Sequence, residues 1–209
     1  MAKKQQDKRD LVRVSPLLPN QGDHIIDYAG VRLAERKALS AIQVLSFTGK
    51  HDKAVKAIGK ALGFDCPIEP GHCRSDGKTQ IFWNGPNSWM VVASDVECGR
   101  AAGELLATLQ DAVGKLGAVV DQSHGRCVLR LSGARAREVM AKNTAVDLHP
   151  RAFGAGQCAL TSIAHMNATL VQVDDTPTYD LFVIRSLARS FAHAIEHACH
   201  EFAEETAAG

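Results

Sequence analysis

The chain has 209 residues, of which 45% are hydrophobic and 22% are charged, as expected for a globular protein with one large or two small domains. The 24 lysines and arginines balance 23 acidic residues to a net charge of +1, so no surface for nucleic acid or for an anionic membrane is expected. No apolar run approaches the roughly 18 residues of a membrane span, and residues 1–19 lack the apolar region of a secretory signal.

The first half of the chain begins irregularly and then alternates strand and helix patterns. Residues 1–30 carry charges, then prolines and glycines, without a helical or strand period, which predicts an extended tail. The elements predicted next are strands over 31–36 and 41–47, a helix opened by Thr48-Gly49 with Thr48 as N-cap and ended by Gly63, a loop over 64–78, strands over 80–83 and 89–93 around an Asn84-Gly85 turn, and a helix with Ala102, Leu105, Leu106, Leu109 and Val113 on its apolar face.

The second half repeats this order. Its predicted elements are strands over 118–120 and 127–131, a helix opened by Ser132-Gly133 with Ala136, Val139 and Met140 inward, a loop over 147–156, strands over 159–164, 168–173 and 180–184, and a final helix over 187–204.

Matching residues relate the two halves. Leu45, Thr48-Gly49 and Val55 correspond to Leu129, Ser132-Gly133 and Val139, and Pro86 corresponds to Pro177. Each half therefore has a strand, a helix, two strands and a helix, which predicts an α+β fold with helices on one face of each sheet. The predicted units are a tail over 1–30, a first subdomain over 31–115 and a second over 116–209.

The six cysteines are spread along the chain without any C-x-x-C pair. This spacing favours free thiols used as small hydrophobic side chains in a reducing, cytoplasmic setting. Disulfides are the alternative that an even count leaves open.

Two glycine motifs imitate nucleotide-binding loops. Gly77-Lys78-Thr79 resembles the end of a phosphate-binding loop, but a strand follows it where that loop needs a helix. Gly154-Ala155-Gly156 resembles a dinucleotide motif, but it lies between a helix and a strand, which is the reverse order. Both are interpreted as loop turns.

Three histidines, His193, His197 and His200, share one face of the predicted last helix, opposite its apolar residues. The favoured interpretation is a solvated polar face. A docking surface for another subunit is the second interpretation, and a metal site is the third, because one helix face still needs a further ligand to complete a zinc shell.

The polar segment Asp121-Gln122-Ser123-His124-Gly125-Arg126 separates two apolar strands. Its aspartate, serine and glycine are typical turn residues, so a tight turn is favoured over a site loop. Nucleophile patterns are poor, since there is no G-x-S-x-G and Cys73 merely follows His72.

Residues 120–140 resemble the folate-binding aminomethyltransferase superfamily, which includes the glycine-cleavage T-protein. Within it, the chain is most similar to the gamma-subunit family of heterotetrameric sarcosine oxidase. The residues that carry the resemblance are Ser15-Pro16-Leu17, 121–126, Leu131-Ser132-Gly133, 147–153, Thr161, Ala164-His165 and 174–181.

The resemblance implies two pseudo-repeated ferredoxin-like subdomains and a complex that demethylates sarcosine to glycine, hydrogen peroxide and a one-carbon unit, either formaldehyde or methylenetetrahydrofolate. It implies alpha, beta and delta subunits as partners, with FAD, FMN, NAD, tetrahydrofolate and zinc on those other subunits. It places no catalytic, cofactor-binding or metal-binding residue in this chain, and neither nucleic acid nor a membrane is an expected partner.

The chain departs from the folate-active members at two places. Residues 165–170 carry no carboxylate where those members have tandem acids, and residues 151–158 keep only the glycine and glutamine of a related motif. These departures favour a non-catalytic accessory subunit. A stand-alone folate-dependent aminomethyl or methyl transferase is the first alternative, and a scaffold for another amine oxidase complex is the second.

Overall fold

The computed structural model describes residues 14–17, 24–101 and 103–203. The elements, in chain order, are β1 (His24–Tyr28), β2 (Val31–Glu35), β3 (Leu39–Ser46), α1 (His51–Leu62), β4 (Cys73–Ser75), β5 (Thr79–Gly85), β6 (Ser88–Ser94), α2 (Asp95–Cys98), α3 (Glu104–Val113), β7 (Gly117–Asp121), β8 (Arg126–Ser132), α4 (Ala136–Ala141), β9 (Cys158–Ile163), β10 (Met166–Asp174), β11 (Thr178–Ile184) and α5 (Ala188–Cys199).

The first sheet has five strands in the order β4-β5-β6-β3-β7, all antiparallel. The run β3-α1-β5-β6-α3-β7 is a ferredoxin-like βαββαβ unit to which β4 adds an edge strand. Helices α1 and α3 cover one face of this sheet, where Ile58 and Leu109 share a buried cluster with Ile42 and Val44.

The second sheet has six antiparallel strands in the order β1-β2-β8-β11-β10-β9. The run β8-α4-β10-β11-α5 repeats the first unit, and β2 occupies the position that β7 has in the first sheet. Helices α4 and α5 cover its outer face, where Val139 and Phe191 are buried with Leu129 and Leu181.

The two sheets pack face to face through their uncovered sides, so the layers run helix, sheet, sheet, helix. A separate buried cluster joins them, in which the rings of Phe82 and Phe182 lie 4.9 Å apart. The predicted α+β fold with two ferredoxin-like units is confirmed.

Sheet membership does not follow the predicted subdomain boundaries. Strand β2, predicted in the first subdomain, pairs with β8 in the second sheet, and β7, predicted in the second subdomain, pairs with β3 in the first sheet. Each sheet thus takes one strand from the other predicted subdomain. The sequence did not predict this exchange, because a strand belongs to the sheet of its hydrogen-bonded neighbour and sequence order alone does not identify that neighbour.

Several local predictions were wrong. Part of the predicted tail forms β1, and Leu17 is buried in the second core. The predicted loop over 64–78 contains the short strand β4, and α1 begins after Lys50 without a side-chain cap, so Thr48 is not its N-cap. Gly63 ends α1 in a left-handed conformation as predicted. Ala102, Glu204 and most of residues 1–23 lie outside the described residues.

Candidate functional site

A cleft of about 590 Å³ opens between the two sheets. Its charged lining consists of Arg36, Lys78, Glu97, Arg130 and Asp180. A larger groove, of about 860 Å³, lies between α1 and the loop that follows it, but its lining includes no buried charged side chain. The smaller cleft is therefore the more informative candidate.

A buried carboxylate held by two arginines forms the wall of the cleft. Arg130 donates from Nε and Nη2 to the two carboxylate oxygens of Asp180, both at 2.8 Å, and Arg36 donates from Nη1 to Oδ2 at 2.7 Å. Arg130 and Asp180 face each other in the β8–β11 register. Since alternate residues of a strand point to opposite faces, both side chains project inward while Leu129 and Leu181 project toward the helices.

The electrostatics of this cluster are unusual for the chain. Among the residues that the structure describes, Asp180 is the only buried side chain with a charge, and it is fully inaccessible. Burial acts to lower the pKa of Arg130, but the hydrogen bonds and the charge of Asp180 outweigh burial, so this pKa is raised. The guanidinium is therefore a fixed cation, and bidentate pairs of this kind are the strongest charge-assisted hydrogen bonds.

Gln80 and Cys73 complete the side of the cleft that the first sheet forms. Gln80 is 8% exposed, and its Oε1 has no hydrogen-bond partner among the described residues. Burial raises the pKa of the Cys73 thiol to about 12, even though a hydrogen bond from the Gln80 side chain acts to lower it. A thiol with this pKa is protonated at neutral pH and is a poor nucleophile.

A second cleft, of about 430 Å³, lies between the same sheets, and Arg126 is the one charged side chain among the described residues that line it. Leu160 and Ile184 line it and are 48% and 45% exposed. Arg126 also borders it, and burial lowers the pKa of this arginine.

The polar segment over 121–126 is a turn, as the favoured interpretation predicted. The Ser123 N–H donates to Asp121 Oδ1 at 2.8 Å, and Ser123 Oγ accepts from the Ala41 N–H at 3.0 Å. The turn carries the chain from the first sheet to the second, beside the connection from β2 to β3 that runs the opposite way. Gly125 does not adopt a left-handed conformation.

The two segments that resemble nucleotide-binding loops, 77–79 and 154–156, lie in turns, as predicted. Asp76 Oδ1 accepts the N–H groups of Lys78 at 2.8 Å and Thr79 at 2.6 Å, and β5 follows directly. The Gly154 N–H is bonded by Gln157 Oε1 at 2.6 Å in a loop that leads into β9.

The side chains of His193, His197 and His200 are exposed on α5 and the turn after it, while Phe191 and Ile195 are buried. The predicted orientation is confirmed, although Leu187, predicted on the apolar face, is 37% exposed. Within residues 24–101 and 103–203, no group of three metal-ligating side chains comes together. Whether the histidine face contacts a partner remains a prediction.

Residues 165–170, where the folate-active proteins of the resemblance carry acids, form the turn and start of β10. No carboxylate stands there, so this segment does not fit the folate chemistry of those proteins.

The sequence interpretation did not identify Arg36, Gln80, Arg130 or Asp180 as site residues. A signal was available, because Arg130 lies between the buried Leu129 and Leu131, and Asp180 lies between the buried Tyr179 and Leu181. A charged residue inside an apolar strand indicates a buried partner of opposite charge.

Comparison with known proteins identifies similar sequences among the sarcosine oxidase gamma subunits. The profile of the sarcosine oxidase, gamma subunit family matches residues 49–201. A sarcosine oxidase subunit gamma from Arthrobacter sp. is 34% identical over 153 residues, which cover 73% of this chain and 72% of the relative. The subunit gamma from Corynebacterium sp. (strain P-1) is 33% identical with the same coverage.

Solved structures agree with this similarity. A chain of the heterotetrameric sarcosine oxidase from Corynebacterium sp. U-96, in complex with pyrrole 2-carboxylate, aligns with a TM-score of 0.75 and 27% identity over 87% of this chain and 89% of that chain. The glycine cleavage system aminomethyltransferase T from Bartonella henselae aligns with a TM-score of 0.58 and 17% identity over 80% of this chain and 46% of that chain. The second similarity concerns the fold alone. Among the helices of the described residues, none has the length and apolar character that a membrane crossing requires.

Proposed function

The chain belongs to the sarcosine oxidase gamma subunit family, and on this premise we propose that it is the non-catalytic, accessory subunit of its complex. As the gamma subunit of a heterotetrameric sarcosine oxidase, it takes part in an oxidoreductase reaction without supplying the reacting groups. The proposed reaction of the complex converts sarcosine to glycine, hydrogen peroxide and a one-carbon unit.

The observation that carries the proposal is the alignment with a chain of a heterotetrameric sarcosine oxidase over 87% of this chain. We propose alpha, beta and delta subunits as its partners, and we assign FAD, FMN, NAD, tetrahydrofolate and zinc to them. We also propose a reducing, cytoplasmic setting, because all six cysteines are free and five of them are buried.

The chemistry of the candidate site supports an accessory role. A general base must be free to accept a proton from a substrate, but Asp180 already accepts three hydrogen bonds from two arginines. Burial raises the pKa of the Cys66, Cys73, Cys127 and Cys158 thiols to about 12, so none of these is an activated nucleophile.

The stand-alone folate-dependent transferase is not favoured. The relatives at 33% and 34% identity are named as oxidase subunits, and the likeness to the aminomethyltransferase is limited to the fold.

Affinity purification of the full-length, tagged chain from its native cells tests the proposal. We expect three further polypeptides to co-purify with flavin absorbance and sarcosine-dependent peroxide formation, whereas the chain separated from them shows neither. Sarcosine turnover by the separated chain, or its binding of tetrahydrofolate at micromolar concentration, would overturn the accessory role.

A further inference from the structure

The charged residues of the cleft have uncharged counterparts in the first sheet. The pairing registers of the two sheets identify these counterparts. Phe82 pairs with Cys73 and Met90 in the first sheet, and Val171 pairs with Cys158 and Asp180 in the second. Met90 therefore occupies the position that Asp180 occupies in the other half.

The two arginines have neutral counterparts as well. Gln43 pairs with Met90 as Arg130 pairs with Asp180. The Gln122 N–H donates to the Ala41 carbonyl as the Arg36 N–H donates to the Val128 carbonyl, at 2.8 and 2.9 Å. The counterpart of the trio Arg36, Arg130 and Asp180 is thus the trio Gln122, Gln43 and Met90.

The comparison of the two trios indicates whether the fold requires the charged side chains. The first unit forms the corresponding strand pairs and packs against the second sheet with uncharged side chains in all three places. Buried ions are costly to desolvate, and apolar replacements of whole ion clusters are often as stable or more stable. The architecture therefore does not explain the charged trio.

The lining of the cleft defines the ligand that it would accept. The lining places three cations, Arg36, Lys78 and Arg130, against the carboxylates Glu97 and Asp180, and the charge of Asp174 also acts on Arg130. The attraction for a carboxylate therefore comes from the hydrogen-bond donors that remain on the two arginines. Arg36 and Arg130 use three of their N–H groups on Asp180, and each guanidinium carries five donors.

Gln80 offers the ligand a hydrogen-bond acceptor, whereas the two arginines offer donors. Its side chain is more than nine-tenths buried, lines the cleft and presents an Oε1 without a partner. A buried acceptor without a donor is destabilising, so a donor that enters the cleft is favoured at this place. The counterpart of Gln80 is Thr169, because Gln80 pairs with Val92 as Thr169 pairs with Phe182.

We propose that the cleft between the sheets is a binding site for a small carboxylate that also carries an N–H donor, with its carboxylate on Arg36 and Arg130 and its N–H on Gln80. A volume of about 590 Å³ admits a molecule of amino-acid size. The site belongs to this chain alone and does not depend on the accessory role proposed above.

Three probes separate the two halves of the ligand. The ¹⁵N-labelled full-length chain is titrated with glycine, with acetate, which lacks the donor, and with methylamine, which lacks the carboxylate. We expect glycine to shift the amide resonances of Val92, Gly156 and Val173 in the cleft lining, acetate to bind about tenfold more weakly, and methylamine to leave these resonances in place.

Variants that introduce the uncharged counterparts from the first sheet provide the matched test. The triple variant Arg36→Gln, Arg130→Gln and Asp180→Met leaves no unpaired buried charge, and we expect it to fold and to bind neither glycine nor acetate. Gln80→Met should reduce glycine binding to the level of acetate and leave acetate binding unchanged. Thr169→Val, in the second cleft, should respond to each of the three probes as the unmodified chain does.

The proposal is overturned if glycine shifts no resonance in the cleft of the unmodified chain. It is equally overturned if the triple variant binds glycine as tightly as the unmodified chain, since the arginines would then have no part in binding.

Discussion

His72 and Gln157 lie opposite each other in an isolated antiparallel bridge that joins the edges of the two sheets. The Cys73 N–H donates to the Gly156 carbonyl and the Cys158 N–H donates to the Gly71 carbonyl, both at 2.8 Å. Gly71 and Gly156 have φ angles of +79° and +80°. Residues 71–73 and 156–158 are thus equivalent, and the bridge marks a local twofold relation between the halves of the chain.

This bridge covers two sheet edges at once. β4 and β9 are the outer strands on this side, and an uncovered edge invites pairing with another chain. On the opposite side, the β2–β3 and β7–β8 connections join the sheets. The inter-sheet layer is therefore enclosed on two sides, which leaves the clefts as its open ends.

The buried ion cluster predicts a large effect of a single substitution. Asp180→Ala removes the carboxylate and leaves two arginines facing each other, so we expect the free energy of unfolding to fall by about 3–5 kcal/mol. Urea denaturation measures this change.

Glu138→Gln is the matched control for Asp180, because Glu138 forms an exposed ion pair with Arg135 at 3.0 Å. Its expected effect is below about 1 kcal/mol. Equal losses in both variants would contradict the assignment of Asp180 as a buried, paired charge.

The two hydroxyl-glycine steps predict different sensitivities to a methyl group. Gly49 and Gly133 both have positive φ angles, but a Cβ at Gly133 would lie 2.4 Å from the Gly30 carbonyl oxygen, whereas a Cβ at Gly49 meets open space. We expect Gly49→Ala to cost about 1–2 kcal/mol from backbone strain alone and Gly133→Ala to cost about 3 kcal/mol or more. Thermal unfolding of the two variants compares them, and the reverse order would be inconsistent with this packing.

The cysteines predict a decline of stability in alkali. Burial raises the pKa of the Cys66, Cys73, Cys127 and Cys158 thiols to about 12 and that of Cys199 to about 11, from 9.0. Above pH 9 the unfolded chain loses these protons and the folded chain keeps them, so the free energy of unfolding decreases as the pH rises from 9 toward 12. Chemical denaturation at a series of pH values measures the slope.

A thiol reagent provides an independent check of the same burial. In the native chain at pH 8, we expect fast labelling of Cys98, which is partly exposed, and slow labelling of the five buried thiols. All six should react after denaturation. Rapid labelling of Cys73 or Cys158 in the native chain would contradict their burial between the sheets.

The exposed histidine face predicts that substitutions of its histidines have little effect on stability. His193, His197 and His200 are exposed, so replacing each with Gln should change the free energy of unfolding by no more than about 0.5 kcal/mol. Elemental analysis of the purified full-length chain is expected to find no stoichiometric zinc. Zinc at one equivalent, lost in the triple histidine variant, would instead support the metal interpretation.

Local patterns in the sequence predicted most of the strands and helices. Alternation and helical spacing depend on residues that are close in the chain, so β2, β3, β5 to β11, α1, α3, α4 and α5 could be predicted. Strand β4 was missed because it has only three residues, and β1 was missed because the charges, prolines and glycines around it predicted a tail. The Gly-x-Cys repeat at 71–73 and 156–158 was also missed, although it is visible in the sequence.

The sequence by itself determined the repeated unit, the family and the absence of acids at residues 165–170, because these are properties of residue order. Only the tertiary structure decided that β2 and β7 exchange sheets and that Arg36 reaches Asp180, 144 positions away. Residue order does not encode which distant strand edges meet, because that choice is made when whole apolar faces are buried together.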